Sequence, residues 1–263
     1  MHTSFLSLVL VALAAVSLSA CRGEPAAEPA APAAADTVAA DTLTAAATGA
    51  PAPGCAAPPP EAADAPRSDT LTVLFFGDSL TEGYGLPGGK DEAYPALIGE
   101  RIAAAGLPAR VVNAGISGNT SADGRGRVAW ALRQAPPDVF VLALGANDGL
   151  RGLSAEAMRA NLEAILCAAR GANPAVRLVI VGMEAPPNYG ADYTGRYRAV
   201  FASLAEAFDA AFVPFLLDRV AGVARLNQGD RIHPTPEGHR ILAETVWTTL
   251  EPVIREAAAR PVG

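Results

Sequence analysis

From residue 70 onward, the apolar positions of this chain alternate between two patterns. Short, nearly continuous apolar runs occupy residues 70–76, 110–113, 138–144, 176–181 and 212–215. A strand covered on both faces reads this way, because neither set of alternating side chains meets water. Between the runs, residues 91–105, 120–135, 154–170, 193–210 and 235–259 carry apolar residues at helical spacing. Helix signals bound these longer segments. Gly106 and Pro108 stop the first, Pro136-Pro137 the second, and Gly171 with Pro174 the third. Ser154 is placed as an N-cap, and Thr235 caps the last helix with Pro236 and Glu237 in its first turn. Gly124 and Gly126 weaken the start of the second helix. Strands alternating with helices, with no internal repeat, predict an α/β fold. The expected form is a three-layer α/β/α sandwich on a mainly parallel, five-stranded sheet.

The first quarter of the chain follows neither pattern. Residues 1–21 contain no Asp, Glu, Lys or Arg, and their apolar run ends in Leu18-Ser19-Ala20-Cys21. That run has the length of a signal-peptide core and falls short of a membrane span. Leu-Ser-Ala-Cys resembles a bacterial lipobox, which implies lipidation of Cys21 and a membrane anchor. A plain secretory signal is the alternative. Residues 22–69 are mostly Ala and Pro and are expected to form a disordered tether. The expected organisation is thus a signal segment at 1–21, a tether at 22–69 and one domain at 70–263.

Charge and cysteine content narrow the function classes. Of the formal net charge of −7, the tether carries −5, so the domain itself is close to neutral. With no basic stripe, nucleic acid is excluded as a partner. The chain has three cysteines, too few for a disulfide framework. A Cys55–Cys167 bridge is open in an oxidising compartment, but a buried, inert Cys167 thiol is the simpler expectation. No Cys/His grouping has metal-ligand spacing, so neither metal nor cofactor is expected.

In parallel α/β sheets, ligands gather beyond the carboxyl ends of the strands. The first apolar run ends in Gly77-Asp78-Ser79. A P-loop would need a lysine that this segment lacks. A G-x-S-x-G elbow would need a glycine where Leu80-Thr81 stands. A nucleophilic Ser79 needs a base. Of the three histidines, His2 leaves with the signal and His239 lies in the last helical pattern, where a surface or capping role is expected. His233 follows Asp230 by three residues in "GDRIHPTPEG". In a turn, that spacing lets the carboxylate hold Nδ1–H and leaves Nε2 to face a serine. Gly115 and Asn147 lie just beyond the next two strands, where a backbone N–H and a side-chain amide could meet a developing oxyanion.

Together, "FFGDSLTEGYG", "NAGISGNTS", "LGANDGLRG" and "DRIHP" resemble, in order, the four sequence blocks of the SGNH (GDSL) hydrolases. The blocks span nearly the whole predicted domain. Within that family the chain looks like the bacterial multifunctional acyl thioesterase, lysophospholipase and arylesterase subgroup, a likeness that "PPNYG" at 186–190 shares. The resemblance implies a flavodoxin-like SGNH fold and a Ser79, Asp230 and His233 triad. It implies an oxyanion hole from the Ser79 and Gly115 N–H groups and the Asn147 amide, with Asp78 bracing the turn. The expected reaction is hydrolysis of carboxylic esters, acyl thioesters or lysophospholipids through an acyl-enzyme. Loop residues Ile116, Leu150, Leu153, Pro187 and Tyr189 are expected to line the acyl pocket. A carbohydrate or peptidoglycan O-acetylesterase, and an inactive binding module on the same fold, are the competing readings. The expected setting is a monomeric, exported cell-envelope lipoprotein acting on a small acyl ester or lipid. Arg22 after Cys21 resembles the pattern of proteins sent to the outer membrane.

Overall fold

The computed structural model describes Cys55 and residues 69–259. The expected signal segment with Cys21, and the expected tether apart from Cys55 and Asp69, lie outside the described residues. Five parallel strands form one sheet: β1 (Leu71–Gly77), β2 (Ala109–Asn113), β3 (Val139–Ala143), β4 (Arg177–Val181) and β5 (Ala211–Val213). Their order is β2-β1-β3-β4-β5. The connections leaving β1 and β2 therefore run to opposite sides of β1, and the crevice between β1 and β3 is the switch point where such sheets bind ligands.

The apolar runs are explained by burial on both faces. Consecutive residues of β1 point to opposite sides. Phe75 meets the Tyr94 ring at 5.6 Å, and Phe76 meets Phe140 at 5.6 Å. Both phenylalanines are fully buried. The longer helices are α2 (Tyr94–Ala104), α3 (Ser121–Gln134), α5 (Ala155–Ala172), α6 (Ala191–Ala207) and α7 (Pro236–Ala258). α3 packs on α5 and α5 on α6, while α2 packs on α7. These two groups cover the two faces of the sheet and complete the three-layer sandwich. Two caps fall where the sequence places them: Ser154 accepts from the Ala157 N–H and Thr235 from the Gly238 N–H. A third, not read from the sequence, is the reciprocal capping box of Thr120 and Asp123 on α3. Two short helices, α1 (Ser79–Glu82) and α4 (Ala146–Leu150), are absent from the hydrophobic pattern. Each is a single turn following a strand, too short to carry a period.

One expectation is corrected and another, the surface or capping role of His239, is narrowed to capping. Cys167 is not a free thiol: it is bonded to Cys55, with Cα atoms 5.2 Å apart. α5 presents Cys167 on a half-buried face, within reach of a chain segment whose composition gives no sign of docking. The bridge closes a span of 112 residues, and such a constraint on the unfolded chain typically contributes about 2–4 kcal/mol. It also pins one point of the expected tether to the domain.

His239 is not at the surface. It is buried in α7, and its Nδ1 accepts the Tyr94 N–H at 3.1 Å. It thus caps α2 across the helix–helix contact, a partnership that spacing within α7 does not reveal. Burial pushes its imidazole down to about 4 from an ordinary 6.5. Between those values the unfolded chain takes up a proton that the folded protein refuses, so acidification through that window destabilises the fold. The slope from this group is up to about 1.4 kcal/mol per pH unit. Chemical denaturation between pH 7 and pH 4 is expected to show a shallower loss of stability for His239→Gln than for the parent protein.

Candidate active site

The site begins with the abrupt end of β1. Register pairs Phe75 with Asn113 of β2 and Gly77 with Ala143 of β3, so these strands end at one edge. α1 starts directly on that edge. A Cβ on Gly77 would lie 2.0 Å from Thr81 Oγ1 and 2.8 Å from the Ala143 carbonyl, so only glycine permits this approach. Asp78 caps α1 by accepting the Leu80 N–H through Oδ1 at 3.1 Å, the turn-bracing place expected of it. Burial pushes its carboxyl up to about 7, and Oδ2 has no protein partner among the described residues. Ser79 is the first residue of α1, where the backbone N–H has no helical acceptor.

His233 Nε2 lies 3.0 Å from Ser79 Oγ, and His233 Nδ1 lies 2.6 Å from Asp230 Oδ2. Asp230 Oδ1 accepts the backbone N–H groups of Ile232 and His233 at 2.9 and 3.0 Å. The imidazole hydrogen bond first, then these two N–H groups, hold the Asp230 carboxyl down at about 2. It is ionised across the neutral range and fixes the tautomer in which Nδ1 carries the proton. The hydroxyl, imidazole and carboxylate thus stand in one hydrogen-bonded row across 154 residues of sequence.

Several residues that the sequence reading missed hold this row together. Gln228 donates through Nε2 to the Tyr84 carbonyl at 2.9 Å and the Pro234 carbonyl at 3.0 Å. Its backbone N–H donates to the His233 carbonyl at 2.7 Å, so one residue clamps the histidine loop to the serine loop. The Tyr84 ring packs 4.7 Å from the His233 ring. Arg127 of α3 donates to the carbonyls of Gly77 and Ala114 at 2.8 and 2.9 Å and to Asn119 Oδ1 at 2.6 Å. Its guanidinium also lies 3.9 Å from the Phe76 ring centre. Burial pushes Arg127 down to about 10, which still leaves it charged at neutral pH. "GRGR" offers two arginines, and nothing local distinguishes the one that turns inward.

Asn147 sits in the first turn of α4. One amide hydrogen is committed to the Asn119 carbonyl at 3.1 Å, and the second remains for a ligand. Asp148 anchors the same turn by accepting the Ser121 N–H and hydroxyl at 2.8 and 2.6 Å. Gly115 does not take the place expected of it. Its N–H donates to Asn113 Oδ1 at 2.9 Å, and a Cβ there would lie 2.3 Å from the Glu82 nitrogen. The glycine serves the packing of the β2 end against α1. Three residues on, Gly118 has φ +79°, and no hydrogen bond among the described residues uses its N–H. Its neighbour Asn119 supplies the carbonyl that Asn147 holds.

A cavity of about 320 Å³ opens on Ser79, Asn147 and His233. Leu150, Met183, Leu217, Ala221 and Ile232 supply its apolar wall. Of the five residues expected to line it, only Leu150 does; Ile116, Leu153, Pro187 and Tyr189 lie outside its wall. The Tyr189 hydroxyl donates to the Leu150 carbonyl at 3.0 Å, and its ring packs on Gly152, so it buttresses the wall from behind. The loop after β5 takes over much of the lining. Asn227 folds that loop by donating to the Val220 and Val223 carbonyls at 2.7 and 2.9 Å. Among the described residues, no group of three or more His, Cys, Asp or Glu side chains could hold a metal ion.

A serine hydroxyl, a base aligned on it and amide donors beside an apolar cavity form a constellation suited to acyl transfer. A family model described as GDSL-like Lipase/Acylhydrolase family matches residues 75–241, and the chain belongs to that family. Esterase TesA of Pseudomonas aeruginosa is 38% identical to it over 183 residues, covering 70% of this chain and 89% of that protein. Thioesterase 1/protease 1/lysophospholipase L1 of Escherichia coli is 34% identical over 183 residues, with coverage of 70% and 85%. The crystal structure of TesA matches with a TM-score of 0.65 at 38% identity, covering 69% of this chain and 99% of that one.

Arg127→Lys keeps the charge but cannot satisfy three acceptors with one planar fork. It is expected to cost about 1–3 kcal/mol in urea denaturation, the usual penalty for stranded buried acceptors.

Proposed function

We propose that this protein is a serine ester hydrolase that cleaves aryl and alkyl esters, acyl thioesters and lysophospholipids through an acyl-enzyme. The observation that carries the reading is the unbroken row from Asp230 through His233 to Ser79, with contacts of 2.6 and 3.0 Å. Family membership and the names of the relatives support it independently.

In the first half-reaction, Ser79 Oγ bonds to the acyl carbon while its proton passes to His233 Nε2. Ionised Asp230 holds Nδ1–H and stabilises the imidazolium. The oxyanion is met by the Ser79 N–H, the Gly118 N–H and the uncommitted hydrogen of the Asn147 amide. The C–O or C–S bond then breaks, and the proton on Nε2 goes to the leaving alcohol or thiol. Water attacks the acyl-enzyme by the same route. Its proton goes to Nε2, and the carboxylic acid leaves as Ser79 recovers its hydrogen.

The cavity size and apolar wall favour an acyl chain or aryl ring over a lone acetyl group on a sugar. Kinetics on p-nitrophenyl esters test the assignment as a whole. Ser79→Ala is expected to form no acyl-enzyme and to escape fluorophosphonate labelling. Asn147→Ala is expected to lose about 10²–10³ in kcat. Octanoyl esters are expected to outperform acetyl esters in the parent protein. Full turnover by the Ser79 variant would overturn the mechanism, and strict acetyl preference would move the substrate to the O-acetyl class.

The reading includes export. A structural disulfide is at home in an oxidising compartment, and Cys55–Cys167 is such a bridge. No helix among the described residues is long and apolar enough to cross a membrane. Lipidation at Cys21 would supply the anchor and place the domain at the cell envelope. Metabolic labelling with a palmitate analogue is expected to mark the full chain and to spare Cys21→Ser.

A further inference from the structure

The turn that joins Asp230 to His233 carries a backbone cost. Arg231 has φ +62°, in the left-handed region that disfavours any residue with a Cβ and suits glycine. Two other non-glycine residues among those described share the region, and each has a local account. Asp209 is of a type that tolerates it, and it closes the turn after α6 by donating its N–H to the Glu206 carbonyl at 3.2 Å. Arg219 has its guanidinium against Asp218 at 3.8 Å and Glu244 at 3.5 Å.

Arg231 has no such partner. Its backbone N–H donates to the Gln228 carbonyl at 2.9 Å, but no hydrogen bond or ion pair among the described residues holds its guanidinium. The residue instead lines the cavity that contains Ser79, Asn147 and His233. The other charges near that cavity are spoken for. Glu184 is paired with Arg198 at 3.1 Å. Asp230 is committed to His233 and to two backbone N–H groups. Arg231 is thus the one charged side chain lining the cavity with no ion-pair or hydrogen-bond partner among the described residues, in a site whose carboxylates, Glu184 and Asp230, already have theirs. A strained residue kept where glycine would fit, lining the same cavity as Ser79 and with its guanidinium unpartnered among the described residues, points to a function for that side chain.

We propose that Arg231 is an anion-recognition residue that selects ester substrates bearing a phosphate or carboxylate near the scissile acyl group. This inference rests on the ester-hydrolase reading and names the substrate class of that same site. Apolar parts of the substrate fill the wall formed by Leu150, Met183, Leu217 and Ile232. The planar guanidinium offers paired donors matched to either anion. Because Arg231 is exposed, its attraction is screened by salt.

The test compares kcat/KM for matched pairs of substrates at low ionic strength. One pair sets lysophosphatidylglycerol against a monoacylglycerol of the same chain, placing the anion on the leaving group. The other sets the p-nitrophenyl monoester of glutaric acid against p-nitrophenyl pentanoate, placing it at the acyl end. The parent protein is expected to favour the anionic member of at least one pair. Arg231→Gln, which keeps a side chain on the same backbone, is expected to lower that preference about tenfold, within the range of a charge-assisted hydrogen bond. Arg231→Lys is expected to retain part of it, and added salt to reduce it in the parent only. Arg231→Gly, which suits the left-handed turn, repeats the measurement without the backbone cost. Loss in the phosphate pair alone places the recognised anion on the leaving group, and loss in the carboxylate pair alone places it on the acyl chain. Unchanged preference in both pairs for Arg231→Gln and Arg231→Gly, with neutral esters still turned over, overturns the inference and leaves the ester-hydrolase reading intact. Failure of the parent to turn over any ester overturns that reading itself.

Discussion

The active edge depends on a register. Parallel pairing levels Gly77 with Ala143 and sets Asn113 beside Phe75, so β1 and β3 end level and β2 two residues short of them, all at the same edge. From that common edge, single-turn helices bring Ser79 and Asn147 to one cavity, and the loop after β2 sets Asn119 against Asn147. A slip of one residue in β1 would exchange the faces of Phe75 and Phe76 and carry Ser79 away from His233. The double burial of β1 forbids the slip, because both faces are packed with large side chains. Core packing is thereby the source of the positional accuracy that the chemistry requires.

Polar groups then fix what the apolar core cannot. The Gly77 carbonyl at the end of β1 accepts the Ile116 N–H at 3.1 Å and shares an arginine with the Ala114 carbonyl just beyond β2. Arg127 satisfies Gly77 and Ala114 together and holds Asn119 as well. Asn113 bridges the Thr81 carbonyl and the Gly115 N–H at 2.7 and 2.9 Å. Asp148 ties α4 to the start of α3. These bonds leave few donors free near Ser79, and the free ones are those that an oxyanion can use. Desolvation raises buried Asp78 to about 7, so at neutral pH it is only partly ionised and adds less negative charge near the developing anion than an ordinary carboxylate would.

The histidine arrives from the other end of the sheet on a loop that is comparatively open. Its accuracy is local: an aspartate three residues before it takes both the ring and two backbone N–H groups, and Gln228 clasps the loop to the serine side. The same tight turn forces residue 231 into the left-handed region, which is why that position can present a side chain toward the cavity only at a cost. Catalytic alignment and substrate selection are coupled there through one short piece of backbone.

Much of this was legible in the sequence because it depended on short-range pattern. Continuous apolar runs gave the strands, capping residues gave the helix starts, and strand ends located Ser79 and Asn147. The spacing of Asp230 and His233 is itself a turn geometry, so it too could be read locally. What tertiary structure decided was partnership between groups far apart in the chain. Whether Cys167 meets Cys55, whether His239 turns inward to Tyr94, and which of two neighbouring arginines enters the core depend on packing between elements. Gly115 and Gly118 differ in the same way: both follow a strand in the sequence, but only the folded chain shows which N–H is already taken. The pocket wall came largely from the loop after β5, because side-chain direction at a cavity is set by the surfaces that enclose it, and no local period encodes those surfaces.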